Sequence, residues 1–415
     1  MIRNKKFNIE RSNINRWKFV ILGIVIMMFL GTVYSYSVFR LPIEKQFDIG
    51  SAESGLPYMM ALAFYALFMF LTGRYLERFH PRKILMVGGV LVMLGWILSS
   101  FATNIMLLTF TYGCISGAGV GIAYGVPMTV VAKWFPEKKG LAVGMVLVGF
   151  GMSPLVTAPI ARILIENYSV TSTFLILGIC FGIILPILAY SFRYPTREES
   201  IDANNQKVAI SSSADFSTSD MVKSKSFKGL YLNFIIGTMI GLTLIGMTTS
   251  IGVDYIGTRA IKVTGLITIF AIFNGCGRPL FGWFTDRFGT KAAMLLSYFM
   301  ITVAAILLIL FGENNIIIYI ISFSAFWFNL GGWLAIAPAS TLRLYGMKNY
   351  GQNYGLVFTA YGIGAITGVS TSGLLLDFLG NYKFIFYYVI ALCLLGFVIT
   401  LFMIQKSSSR IRNTK

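Results

Sequence analysis

Gly265 to Lys291 reads GLITIFAIFNGCGRPLFGWFTDRFGTK. An apolar run long enough for a helix carries one cation, Arg278, late in its course, with Asn274 one turn earlier. A lone cation in hydrocarbon costs about 2.5–3.5 kcal/mol on insertion scales, and such residues usually face a cavity or a solute path. The stretch predicts a membrane-spanning helix whose arginine binds an anion, provided the rest of the chain supplies the membrane and the cavity.

Composition supplies the membrane. The chain has 415 residues, of which 56% are hydrophobic and 12% charged, with a mean hydropathy of +0.75. Soluble domains carry about 25% charged residues, twice as many. The net charge of +18 is spread through short loops between apolar runs, which speaks for topology and anionic lipid headgroups as its role. A nucleic-acid partner is not expected, since that would need one basic patch on a wetted domain. Cys114, Cys180, Cys276 and Cys393 lie in apolar stretches without C-x-x-C spacing, and His80 is the single histidine. No metal site, cofactor or catalytic constellation is expected, and the chain reads as no enzyme.

Apolar spans of about twenty residues recur near 18–39, 56–76, 84–101, 105–131, 140–164, 171–192, 230–253, 263–284, 292–311, 315–339, 350–375 and 382–404. The fold class is therefore all-α, polytopic, with about twelve transmembrane helices. The expected organisation is an N-terminal tail over 1–17 and a six-helix bundle over 18–192. A polar, Ser-rich connector over 193–228, a second six-helix bundle over 229–404 and a C-terminal tail over 405–415 follow. Of the 34 Lys and Arg, 27 fall on the side holding the tails and the connector, which makes that side cytoplasmic by the positive-inside bias. A multi-pass protein of a prokaryotic plasma membrane, acting as a monomer in contact with lipid, is expected.

The two halves repeat. Gly73-Arg-Tyr-Leu-Glu77-Arg78-Phe79 after the second span matches Gly282-Trp-Phe-Thr-Asp286-Arg287-Phe288 after the eighth. Pro127 matches Pro338, and Gly140 and Gly144 match Gly351 and Gly355. Duplicated six-helix halves imply a pseudo-two-fold axis along the membrane normal and a binding cavity between them near the midplane. Gly117, Gly121 and Gly125, with Gly364 and Gly368, are small residues four apart that let helix backbones approach closely and slide, which suits a rocking mechanism. The paired G-x-x-x-[DE]-R loops, through Gly73, Glu77, Arg78, Gly282, Asp286 and Arg287, are expected to latch one of two access states.

The duplicated loop, twelve spans and long connector resemble the major facilitator superfamily of secondary transporters. The stretches GVGIAYGVPMTVVAKWFPEKKGLAVGMVLVGFGM (119–152), LGTVYSYSVF (30–39) and NGCGRPLFGWFTDRFG (274–289) are similar to its oxalate/formate antiporter branch, related to the monocarboxylate transporters. The resemblance covers nearly the whole chain apart from the tails and the connector. It implies a central site in which the arginine of the eighth helix, here Arg278, binds substrate carboxylate. In the oxalate carriers a lysine of the eleventh helix completes that site; here the stretch reads Thr359-Ala360-Tyr361-Gly362, with Tyr361 in the lysine's place. The monocarboxylate relatives often carry an acid one turn before the arginine; here Asn274 stands there and cannot titrate.

A planar guanidinium fork matches the two oxygens of a carboxylate. Asp286 lies about 12 Å further along the same helix, too far to pair with it. Asn274 shares the face of Arg278, and Tyr34, Tyr36, Tyr124, Asn329, Trp333 and Tyr361 are candidate lining residues on other helices. Arg278 alone would neutralise a monoanion but leave a dianion with one uncompensated charge in a low-dielectric site. The expected substrate is accordingly a small monocarboxylate such as lactate, pyruvate or formate, by exchange or proton symport, with Asp254 a candidate proton carrier. An oxalate exchanger and a carrier of hydrophobic drugs are the alternatives.

Overall fold

The computed structural model describes residues 3–73, 75–76, 78–135, 139–195, 216–346 and 349–404, with side chains from residue 16 onward except 139–141. Glu77 therefore lies outside the described residues. Among those described, twelve helices are long and apolar enough to span a bilayer. They are α1 (Arg16–Ser35), α2 (Ser51–Gly73), α3 (Pro81–Ser99), α4 (Ile105–Trp134), α5 (Ala142–Asn167) and α6 (Val170–Tyr190) in the first half. The second half holds α7 (Lys225–Gly246), α8 (Ala260–Phe288), α9 (Thr290–Phe311), α10 (Ile316–Tyr345), α11 (Tyr350–Leu379) and α12 (Lys383–Met403). The face at which Arg16 donates to the Trp134 carbonyl and Phe216 to the Tyr345 carbonyl is called here the near face; the other is the far face.

The outside of the bundle is apolar along whole helix faces. Ile179, Ile183 and Ile187 of α6, and Leu394, Val398 and Phe402 of α12, are all exposed and recur every fourth residue, the spacing of one face of a helix. Such a continuous apolar surface would drive aggregation in water and is satisfied by lipid chains.

Small residues set the packing within each half. A side chain at Gly117 or Gly121 of α4 would run into the α2 backbone at Ala61 and Met69, and one at Gly119 into Gly88 and Val92 of α3. In the second half, Gly364 and Gly368 of α11 lie on Ile235 and Met239 of α7, while Gly277 of α8 lies on Phe328 of α10. These glycines let backbones approach inside a half, not between halves. Between the halves the close contacts are others. Gly362 of α11 faces Ala63 and Ala66 of α2, and Gly275 of α8 faces Met152 of α5.

Three details depart from the sequence-based expectation. The first helix begins at Arg3, inside the stretch expected as a polar tail. Its α form gives way to a 3-10 turn over Gly31–Ser35 and resumes over Ser37–Phe47, so Arg40, expected in a wetted loop, is carried on helix and buried at 2% exposure. Third, Gly282 to Phe288 is the last two turns of α8, not a loop. The helix stops at Gly289, whose φ of +90° suits glycine and few other residues. Arg343 of α10 donates to the carbonyls of Thr285 (3.0 Å) and Asp286 (2.8 Å) there, occupying acceptors that a helix end leaves open. Arg287 lies over the rings of Trp283 and Phe288, and Arg78 is exposed.

The end of the connector is docked. The Phe216 backbone N–H donates to the Tyr345 carbonyl at 3.0 Å, its carbonyl accepts from Asn349 and Asn353, and Thr218 donates to Asn353 at 2.8 Å. Those bonds fix the start of α7 to the near ends of α10 and α11.

Candidate anion-binding site between the two halves

Helix α8 carries Arg278 to the boundary with α5. The residue is 2% exposed, and Pro279 follows it inside the helix. Proline has no N–H to give to the carbonyl four residues back, so the Gly275 carbonyl loses its helical donor. Asn274, one turn before, donates from Nδ2 to the Trp327 carbonyl of α10 at 3.0 Å, while its Oδ1 has no hydrogen-bond partner among the described residues.

The guanidinium itself is the unusual feature. Nε and both terminal nitrogens are out of solvent contact, and none has a hydrogen-bond partner among the described residues. The Phe150 ring of α5 lies beside it, with Cζ 5.7 Å from the centroid. A desolvated cation over one phenyl ring gains about 2 kcal/mol, well short of the several kcal/mol that burying an ion costs. The Tyr34 hydroxyl lies within electrostatic reach but does not meet hydrogen-bond geometry with the guanidinium.

Around it stands an aromatic cage drawn from both halves. The rings of Tyr34 (α1) and Tyr124 (α4) each lie 5.2 Å from Phe150. Tyr65 of α2 packs on Tyr124 at 5.0 Å, on Tyr361 at 5.5 Å and on Phe358 at 5.4 Å. Phe358 and Tyr361 of α11 stack at 5.0 Å, and the hydroxyls of Tyr34 and Tyr361 are 2.9 Å apart. The floor is Gly151 of α5: a Cβ there would sit 2.5 Å from Asn274 Oδ1 and 3.0 Å from Arg278 Nε.

The structure thus brings together Arg278, Asn274, Tyr34, Tyr124 and Tyr361. It does not bring Trp333 or Tyr36 there. Trp333 packs on Gly237 of α7 and on the Tyr298 ring of α9, at 5.2 Å, inside the second half. Tyr36 points to the far face, where its hydroxyl donates to the Ser54 carbonyl and its ring stacks on Tyr58. Asn329 donates back to Ala325 of its own helix. Tyr65, Phe150, Phe358 and Gly151 had no separate mark in the sequence; an aromatic on a wholly apolar helix gives no clue to the side it faces.

The expected cavity is closed in this state. A hollow of about 10 Å³ beside Phe29, Val33, Tyr65, Trp96 and Tyr112 lies in the first half, room for no more than about one water. At the near face, by contrast, a side chain added at Gly73, Gly144 or Gly351 would meet nothing within 4 Å.

Comparison with known proteins agrees with this architecture. The chain is 26% identical over 355 residues to the oxalate:formate antiporter of Oxalobacter formigenes, covering 85% of this chain and 83% of that protein. It is 23% identical over 351 residues to the uncharacterized MFS-type transporter YhjX of Escherichia coli, covering 85% and 86%. To monocarboxylate transporter 12 of Xenopus laevis it is 26% identical over 337 residues, covering 75% and 71%. The profile of the Major Facilitator Superfamily matches residues 20–265 and 229–415, nearly the whole length. The chain is a membrane transporter, not an enzyme, and belongs to the Major Facilitator Superfamily.

Proposed function

We propose that the protein carries a small monocarboxylate across a prokaryotic plasma membrane by alternating access of a site built on Arg278. The observation behind this reading is a buried guanidinium with all three nitrogens unpartnered. A carboxylate would supply the missing charge and two acceptors in the plane of the fork. The Tyr34–Tyr361 hydroxyl pair leaves one O–H to donate to the same anion, and the surrounding rings suit a short apolar tail. The names of the antiporter and monocarboxylate relatives point to the same substrate class.

Charge balance favours a monoanion. Tyr361 supplies no second positive charge, so a dianion would remain half-compensated in a buried site. The side with the termini, carrying 27 of 34 Lys and Arg, is read as cytoplasmic. Exchange fits the absence, among the described residues, of an acid paired with Arg278, because an empty site would reorient with its cation uncompensated. Uptake of labelled lactate, pyruvate, formate and oxalate into reconstituted vesicles, with and without preloaded counter-substrate or a pH gradient, tests the reading. Preference for a monoanion and stimulation by preloading are expected; clear preference for oxalate overturns the substrate, and stimulation by the gradient alone overturns exchange.

A further inference from the structure

At the far face a second buried arginine spans the two halves. Arg40, on the helix that continues α1, donates from Nε to Ser54 Oγ at 2.9 Å and from Nη2 to the Ser51 carbonyl and Oγ. Its Nη1 reaches the Gly246 carbonyl at the end of α7, 3.3 Å away. Ser54 in turn donates to Glu44 at 2.5 Å. From the second half, the Asp377 carboxylate of α11 accepts from the backbone N–H groups of Ser51 (3.0 Å) and Ala52 (2.9 Å).

Packing around these bonds is tight. A side chain at Gly373 would collide with Ala52, one at Gly55 with Val369 and one at Gly246 with Tyr58, each pair joining the two halves. Arg40 therefore differs from Arg278 in kind: its donors are satisfied, and one acceptor belongs to the other half.

We propose that Arg40 and Asp377 form a two-part latch that holds the halves together at the far face and must open once in every transport cycle. The bond of Arg40 to Gly246 and the bonds of Asp377 to Ser51 and Ala52 cannot survive separation of α7 and α11 from the first half. Each involves a charged group, so each stabilises the closed state more than a neutral hydrogen bond would. Arg162 is a natural control, buried on the far part of α5 but paired with Glu166 of its own helix at 3.2 Å.

The test reads opening directly and requires no substrate, so its outcome is separate from which anion is carried. A cysteine at Met59, buried in α2 against Ser370, reports access from the far face. A membrane-impermeant maleimide is added to that side of sealed vesicles, and modification at position 59 is followed by mass spectrometry. Arg40→Gln and Asp377→Asn should each raise the labelling rate by about tenfold, and Arg162→Gln should leave it unchanged. If Arg40→Gln does not reach the membrane, Asp377→Asn decides, because that exposed side chain touches only backbone amides. Parent-like rates in the latch variants, or an equal rise in Arg162→Gln, would overturn the proposal.

Discussion

The Tyr34 hydroxyl of α1 and the Tyr361 hydroxyl of α11 stand 2.9 Å apart, a hydrogen bond between the two halves beside the unpartnered Arg278. One proton joins them, so one of the two oxygens keeps an O–H free for a ligand or for Arg278's surroundings.

Tyr34→Phe and Tyr361→Phe should therefore each weaken substrate affinity by a few-fold, the effect of one hydrogen bond at about 0.5–1.5 kcal/mol. The double variant should cost less than the two single effects added, because the residues share one bond. Transport KM for the parent and the three variants in vesicles checks this; strict additivity would place the two hydroxyls in separate roles.

Gly151 and Gly144 of α5 are predicted to differ. A methyl at 151 meets Asn274 Oδ1 and Arg278 Nε, whereas one at 144 meets nothing within 4 Å. Gly151→Ala should oppose closure over the site by an overpacking cost of about 1–3 kcal/mol, lowering the turnover rate by about fivefold to a hundredfold. Gly144→Ala should transport like the parent. Equal behaviour of the two in initial-rate uptake would contradict the site's position.

Glu44 gives the far-face latch a pH dependence. Burial holds its carboxyl above the usual carboxylate range, Asp254 and Asp377 add to the rise, and the Ser54 hydrogen bond and Arg40 oppose it. Tyr382, bonded to Asp254 at 2.8 Å, also faces the cluster. A carboxyl with a raised pKa in the closed state binds its proton more tightly there than in an opened, hydrated state. Falling pH thus favours closure, and deprotonation above the raised pKa favours opening. With the Met59→Cys reporter, the ratio of labelling rates between the parent and Glu44→Gln should rise from about pH 5 to about pH 7. A flat ratio would show that Glu44 does not titrate with opening.

Trp333→Phe should lower stability without touching recognition. The indole fills the space over Gly237 and against Tyr298, so a smaller ring loses packing worth about 1–3 kcal/mol. A lower melting temperature in detergent with unchanged KM is expected.

The helices were legible because a span needs only length and apolarity, and Arg278 because a cation inside such a span is costly. Which side of a helix turns inward was harder to read. Tyr34 and Tyr36 are two residues apart, yet the 3-10 turn over Gly31–Ser35 and the helix after it send one to the cage and the other to Ser54. The same change of winding carried Arg40, one residue past the expected first span, into the protein. Trp333 resembled a lining residue because apolar residues lie on every side of α10, and only the packing on Gly237 shows which neighbour it meets.

Counterflow of a labelled monocarboxylate into preloaded vesicles bears most directly on the central claim, comparing the parent with Arg278→Lys and Arg278→Gln at equal amounts of folded protein. A lysine keeps the charge but not the planar fork, so transport should fall at least tenfold; glutamine removes the charge, and transport should be lost. Counterflow by Arg278→Gln at the parent rate would show that the buried guanidinium is not what holds the solute.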